Sequence, residues 1–257
     1  MIRIGPAGSK ALTGLEELRE MSKDGLNAME IEFTYQIWMT DKEAEKVGKD
    51  AVEAGVFLSI HAPYYINLNS EEKAKIDASK KRILSCCERG HYFNGNENTP
   101  IVFHAAFYGK DTKEGTYKKV KEEILDMQKM IKQKGWKVIL CPETTGKSSQ
   151  FGDLDELLKL SKETGCGITV DFAHLKARNN GKIDYKEVFE KLKQLKHIHS
   201  HFSGIEYTAK GERKHLITPN LEIKELLDWI KKYKIDITII NESPDPYRDS
   251  LKTLKLK

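Results

Sequence analysis

The chain has 257 residues, 39% of them hydrophobic and 32% charged, and its 43 Lys and Arg against 39 Asp and Glu leave a net charge of +4. That is ample for a packed core in one large domain or two small ones. The mild basicity falls well short of a histone-like balance, so charge permits a nucleic-acid partner without requiring one. No stretch approaches the roughly 20 apolar residues of a membrane span, and Met1-Ile2-Arg3-Ile4-Gly5-Pro6 lacks the long apolar core of a secretory signal. The four cysteines, Cys86, Cys87, Cys141 and Cys166, form no CxxC pair. So few in a long chain suggest reduced thiols, and the expectation is a soluble cytoplasmic protein.

In chain order, short apolar runs alternate with charged segments of helical period. The runs predict strands at 2–5, 29–34, 57–61, 101–104, 138–143, 167–171, 197–202 and 237–242. Between the first two, Leu15, Leu18 and Met21 sit at helical spacing. Asp41 is the expected cap of the stretch carrying Ala44, Val47 and Val52. Cys86-Cys87 reads as a buried helix position, and the segment from Asn94 to Asn98 as a turn into the next strand. Ile124, Met127, Met130 and Ile131 mark a helix before Gly135. Asp153 precedes Leu154, Leu157, Leu158 and Leu160, and Asp184 precedes Val188, Phe189, Leu192 and Leu195. Ile223, Leu226, Leu227 and Ile230 lead into the last strand.

Eight strands with helical excursions over roughly 250 residues match the rhythm of a single-domain (β/α)8 TIM barrel. The strands are continuous apolar runs, as parallel strands covered on both faces require. The rival is a doubly wound open sheet, but Gly5-Pro6-Ala7-Gly8 is not the Gly-rich phosphate loop that fold favours after its first strand. In a barrel the active site lies at the C-terminal face of the strands. Six successive predicted strands reach that face with a potential ligand: His61, His104, Glu143, Asp171, His201 and Glu242. His174 follows in Asp171-Phe172-Ala173-His174, and His215 lies in the loop expected after strand seven. Imidazoles with carboxylates suit zinc, manganese or iron, and so many in one mouth call for cations. Each residue alone reads as a packing or capping group; the series carries the signal.

The segments His61-Ala62-Pro63-Tyr64-Tyr65-Ile66-Asn67-Leu68, Phe103-His104, Pro142-Glu143-Thr144-Thr145-Gly146, Asp171-Phe172-Ala173-His174, His201-Phe202-Ser203-Gly204 and Asn241-Glu242-Ser243-Pro244 span the chain in order. In them the sequence resembles the endonuclease IV family of apurinic/apyrimidinic endonucleases, which are zinc-dependent (β/α)8 barrels. The resemblance implies two or three zinc ions per chain, with manganese as the other candidate. The first would take His61, His104 and Glu143. Glu143 would bridge to a second held by Asp171, His201 and Glu242. A third would take His174 and His215. Where the family has an aspartate two residues before the last histidine, this chain has Arg213, so Glu212 is the expected substitute and Arg213 a phosphate contact.

The implied reaction is metal-assisted hydrolysis of the phosphodiester 5′ to an abasic site in duplex DNA, leaving a 3′-hydroxyl and a 5′-deoxyribose phosphate. Glu143 would be the catalytic residue, and the protein a monomer in base excision repair. Tyr64 and Tyr65 match the positions that enter the minor groove. Tyr35-Gln36-Ile37-Trp38-Met39 stands where the family has an arginine-bearing loop. Lys147, Lys176, Arg178, Lys210 and Lys214 are further candidates for phosphate contact. Two other classes compete. A single-metal sugar isomerase or epimerase of the xylose-isomerase-like barrels needs only a tetrad such as Glu143, Asp171, His201 and Glu242. A non-catalytic barrel with a degraded site is supported only by Arg213.

Overall fold

The computed structural model describes residues 1–8 and 13–257. The chain runs β1 (Ile2–Gly8), α1 (Leu15–Lys23), β2 (Ala28–Glu32), α2 (Asp41–Ala54), β3 (Phe57–His61), α3 (Lys73–Gly90) and β4 (Thr99–Phe103). It continues through α4 (Lys113–Lys134), β5 (Val138–Pro142), α5 (Leu154–Thr164), β6 (Thr169–Asp171), α6 (Phe172–Arg178), α7 (Tyr185–Leu192) and β7 (Ile198–Phe202). The hairpin β8 (Gly204–Thr208) and β9 (Gly211–Leu216) follows, then α8 (Asn220–Tyr233), β10 (Ile237–Asn241) and α9 (Pro246–Leu256).

Eight strands pair in parallel in the order β5-β4-β3-β2-β1-β10-β7-β6. A parallel bridge between Glu143 and Thr169 joins the outer two and closes the sheet into the expected (β/α)8 barrel. Helix signals act locally. Thr40 and Asp153 form capping boxes with Glu43 and Glu156, and Asp184 caps α7 through the Glu187 N–H. Thr40, not Asp41, is therefore the cap of α2: its hydroxyl accepts from the Glu43 N–H while Asp41 begins the helix. Gly55, Gly135 and Gly165 end α2, α4 and α5 in the left-handed conformation. The main core lies between strands and helices, where Leu58, Ile101, Ile239, Leu157 and Ile230 are buried. Inside the barrel, Ala7, Ala28 and Ile240 form a small separate cluster.

The seam between β5 and β6 is the narrowest join. The Thr144 N–H donates to the Thr169 carbonyl at 3.0 Å. The Thr144 hydroxyl accepts from the Asp171 N–H at 2.8 Å and lies 3.2 Å from the Asp171 carbonyl. One side chain thus replaces ladder bonds that the three-residue β6 does not supply. All four cysteines are unbridged and buried. No helix among the described residues is long and apolar enough to cross a membrane.

Thr144→Val keeps the shape but leaves the buried Asp171 N–H without its acceptor. It should destabilise the fold by about 1–3 kcal/mol, read from urea unfolding; an unchanged midpoint would remove the hydroxyl's role in closing the barrel.

Candidate metal centre

The C-terminal ends of the strands bring the expected residues together. His61 is the last residue of β3 and Asp171 the last of β6, while His104, Glu143 and Glu242 immediately follow β4, β5 and β10. His201 lies within β7. Four groups of ligand-type atoms lie within 4.8 Å of one another. One is His61, His104 and Glu143; another is Glu143, Asp171, His201 and Glu242; a third is Asp171, His174 and His215. The fourth, Glu30, His199 and His201, lies deeper and has no counterpart in the sequence reading.

Glu143 is the hub. Its Oε2 lies 3.2 Å from His61 Nε2 and 3.0 Å from His104 Nε2. Its Oε1 lies 3.1 Å from His201 Nδ1 and 3.2 Å from His174 Nδ1. The DxxH segment has a local cause. Asp171 caps α6, its Oδ1 accepting from the His174 N–H at 2.7 Å, which sets His174 one turn into the helix facing the mouth. Asp171 Oδ2 is buried without a hydrogen-bond partner. That orphaned oxygen, among imidazoles and carboxylates, fits a cation ligand.

His215 sits in strand β9 rather than in a loop. The turn at Ala209-Lys210 ends on Gly211, whose φ of +98° a side chain would strain. The hairpin register then slips: Glu206 pairs with Lys214 but Tyr207 with Glu212, leaving Arg213 as the extra residue of a bulge. Three residues apart, Glu212 and His215 would face opposite sides of a regular strand. The bulge shifts the phase and both turn inward. Glu212 Oε2 reaches 3.2 Å from His174 Nε2. Arg213 faces solvent and pairs with Glu206 at 2.7 Å, so it does not join the cluster. The hairpin docks on the β5 loop, where Glu212 Oε2 accepts from the Gly146 N–H at 3.1 Å.

Charge in the mouth is balanced by protonation. Burial would raise Glu143, but His104 and His201 hold it well below the usual carboxylate range. Burial pushes Glu242 up to about 8, with Glu143 and Asp171 adding to the rise against His201. Burial would lower His61, yet the Glu143 carboxylate carries it to about 9. Burial and the neighbouring His174 lower His215.

Tyr64 and Tyr65 stand on the rim, 55% and 61% exposed, each with its ring centroid 6.4 Å from that of Tyr35. A cavity of about 370 Å³ opens over the cluster, and Glu32, Tyr64, Phe107 and Gln150 help line it. Sequence reasoning missed Glu30, Glu32 and Gln150. The first two had a signal, since acids alternate in the otherwise apolar Ala28-Met29-Glu30-Ile31-Glu32. Among the candidate phosphate contacts, Arg178 instead braces the β5 loop, donating to the Gln150 carbonyl and the Thr145 hydroxyl, both at 3.1 Å. Lys176 pairs with Glu222 at 2.9 Å and Lys214 with Glu206 at 3.3 Å.

Two tests follow from this geometry. A Cβ on Gly146 would lie 2.1 Å from Glu212 Oε2 and 2.7 Å from Glu212 Cβ. Gly146→Ala should push Glu212 out of the cluster and weaken one metal equivalent about 10-fold or more, the lower end for a disturbed ligand shell, measured by calorimetric titration. Unchanged affinity would detach Glu212 from the site. The second concerns pH. His61 and Glu242 have folded-state values raised above their ordinary 6.5 and 4.5, to about 9 and about 8. Their contribution is full below the ordinary values and lost as pH rises through the raised ones. The melting temperature of chelator-treated protein should therefore begin to fall above pH 4.5 through Glu242 and fall more steeply between 6.5 and 9 as His61 adds its loss, with a shallower fall once metal replaces the protons. A flat profile would contradict these shifts.

A family model described as xylose isomerase-like TIM barrel matches residues 18–256. A protein of Methanocaldococcus jannaschii described as uncharacterized is 36% identical over 247 residues, covering 91% of this chain and 88% of its own length. Among solved structures, SacUVDE superposes with a TM-score of 0.75 at 14% identity, over 100% of this chain and 98% of its own. A D-tagatose 3-epimerase-like protein superposes with a TM-score of 0.71 at 18% identity, over 98% and 95%. At those identities the solved structures speak for the fold alone, whereas the family match spans nearly the whole chain and agrees with the closed barrel: the chain belongs to the xylose isomerase-like TIM barrel family.

Proposed function

We propose that this protein is a metal-dependent endonuclease that hydrolyses the phosphodiester on the 5′ side of abasic sites in duplex DNA, leaving a 3′-hydroxyl and a 5′-deoxyribose phosphate. The observation that carries the reading is the size of the donor set. Ligand-type atoms gather in three adjoining groups at the mouth, where a single-metal enzyme needs only one. His61, His104 and Glu143 would hold one ion; Glu143, Asp171, His201 and Glu242 a second; His174 and His215, with Asp171 and Glu212, a third. Imidazole and carboxylate donors suit zinc, with manganese as the alternative. Bound cations in such a cluster polarise a phosphodiester and lower the pKa of water from 15.7 toward about 7.

The chain's own residues supply the rest. Glu143, the most connected carboxylate, orients the attacking water. Tyr64 and Tyr65, exposed on the rim with Tyr35 beside them, enter the minor groove and wedge the stack open. Extruding the damaged nucleotide costs least where its base is already gone. The outward Arg213 engages Glu206 through Nη1 alone and is exposed enough to meet a backbone phosphate as well. The charge of +4 favours a polyanion modestly, so binding should weaken with salt.

One observation favours a second reading. Glu143, Asp171, His201 and Glu242 alone form a complete one-cation group beneath a cavity of about 370 Å³, within the size range of small-molecule sites. A sugar epimerase would use that tetrad and be indifferent to His61, His104 and His215.

The deciding experiment is a nicking assay on duplex DNA carrying one synthetic abasic site, with metal content measured on the same preparation. Two or three tightly bound ions and cleavage 5′ to the lesion are expected. Glu143→Gln should reduce nicking at least about 10²-fold, the scale of losing one electrostatic stabiliser, and His215→Gln should remove one metal equivalent. One ion per chain, no nicking at any loading, and turnover of a keto-sugar would establish the epimerase instead.

A further inference from the structure

Glu30 lies on β2 with its side chain inside the barrel, fully buried beneath the mouth. Barrel interiors are ordinarily filled by branched apolar side chains, and a buried carboxylate is costly unless it is hydrogen-bonded or paired. Here the carboxylate has a complete set of neighbours. Its Oε2 accepts from the Ser59 hydroxyl at 2.6 Å and lies 2.9 Å from His199 Nε2. Its Oε1 lies 2.7 Å from His201 Nε2, a close ion-pair contact short of hydrogen-bond geometry, and neither atom has a hydrogen-bond partner. The opposite nitrogen of His201, Nδ1, faces Glu143 Oε1 at 3.1 Å and Glu242 Oε1 at 3.2 Å.

Three other histidines of the cluster follow one rule. His61 Nδ1 donates to the Ala62 carbonyl at 2.8 Å, and His174 Nδ1 to the Thr144 carbonyl at 3.0 Å. His215 Nδ1 lies 2.7 Å from the Ser203 hydroxyl. In each, one nitrogen is tied to the scaffold and the other is left for the mouth. Such a tie fixes the tautomer and ring orientation of a metal-binding histidine. His174 Nδ1 also meets the mouth carboxylates Glu143 and Asp171, at 3.2 and 3.3 Å, whereas the carboxylate that faces His201 Nε2 lies beneath the mouth and raises the basicity of the nitrogen left free.

We infer that Glu30 is a positioning residue for the metal cluster, holding His201 through Nε2 so that Nδ1 is the atom presented to the cation shared with Glu143, Asp171 and Glu242. Ser59 and His199 are its props: they fill the second carboxylate oxygen and stop the group from rotating away. The inference rests on the multi-metal reading above. A cation held by Glu30, His199 and His201 themselves is disfavoured because Ser59 and His199 already occupy Oε2, and His201 would have to bridge two ions through both nitrogens.

The test compares wild-type protein with Glu30→Gln and Ser59→Ala, each stripped with chelator and titrated with zinc and with cobalt(II). Metal per chain, affinity by calorimetry and the visible cobalt spectrum are recorded, with circular dichroism as a check on folding. Glu30→Gln should bind one equivalent about 10–100-fold more weakly, with an altered cobalt spectrum and the remaining equivalents unchanged. Ser59→Ala should weaken the same equivalent less. Wild-type protein that takes up no metal defeats the cluster reading and this inference with it. Wild-type protein that binds metal, with Glu30→Gln matching it in affinity and spectrum, overturns the role of Glu30 alone. An extra equivalent lost in both Glu30→Gln and His199→Gln, with the others intact, overturns it too by making the trio a cation site. Should Glu30→Gln fail to fold, Ser59→Ala carries the test, and an unchanged affinity there is the overturning result.

Discussion

Several carboxylates are buried within one barrel mouth, and positive charge has to accompany them. Glu143, Asp171 and Glu242 offer oxygens within 4.8 Å of one another, and like charges that close cannot all ionise in a desolvated site without compensation. Histidines provide it from every side: His61 and His104 from neighbouring strands, His201 from across the seam, His174 from the first turn of α6. Protons and metal ions are interchangeable in this role, which is why the same imidazoles serve as the cluster's counter-ions and as its ligands. The rest of the architecture serves to keep them in place.

The seam shows how closely fold and site are joined. Thr144, between Glu143 and the β6 strand, closes the barrel through its backbone and its hydroxyl. Its carbonyl also accepts from His174 Nδ1. One residue therefore sets the spacing of two carboxylates and the orientation of an imidazole. The hairpin after β7 solves a different problem, since no barrel strand carries His215 or Glu212. A bulge at Arg213 gives two side chains of opposite parity the same direction, and the missing side chain of Gly146 gives Glu212 room to enter.

Much of this was legible in the sequence because parallel strands buried on both faces are continuous apolar runs, so the polar residue that ends each run stands out. His61, His104, Glu143, Asp171, His201 and Glu242 were read in that way, and the structure gathers them. What escaped was hidden by a different physics. Glu30 lies within an apolar strand and is tolerated by three tertiary partners that local sequence does not display. The β8–β9 hairpin is short and charged, and its strand character comes from pairing and docking more than from propensity. Arg178 looked like a cation for phosphate, but its guanidinium is engaged by backbone carbonyls of the β5 loop. Arg213 stood where the family resemblance places an aspartate, two residues before the last histidine, in a segment read as a loop; the bulge at Arg213 is what turns Glu212 inward instead.

The relation between the two functional readings is itself structural. The tetrad of Glu143, Asp171, His201 and Glu242 draws on β5, β6, β7 and β10, one half of the barrel. The further groups are additions to that frame: His61 and His104 on β3 and β4, and His215 with Glu212 on a hairpin that projects from β7. Glu143 makes the extension feasible because its two oxygens face different neighbours, Oε1 toward His201 and His174, Oε2 toward His61 and His104. Its side chain must reach far enough from the strand end to serve both sides at once, which the shorter aspartate would not do from the same backbone position. A barrel using the tetrad alone needs only one of those oxygens. The second has a purpose only if positive charge is held on the β3–β4 side as well, and the two histidines placed there have no other acidic partner among the close ion pairs of the described residues.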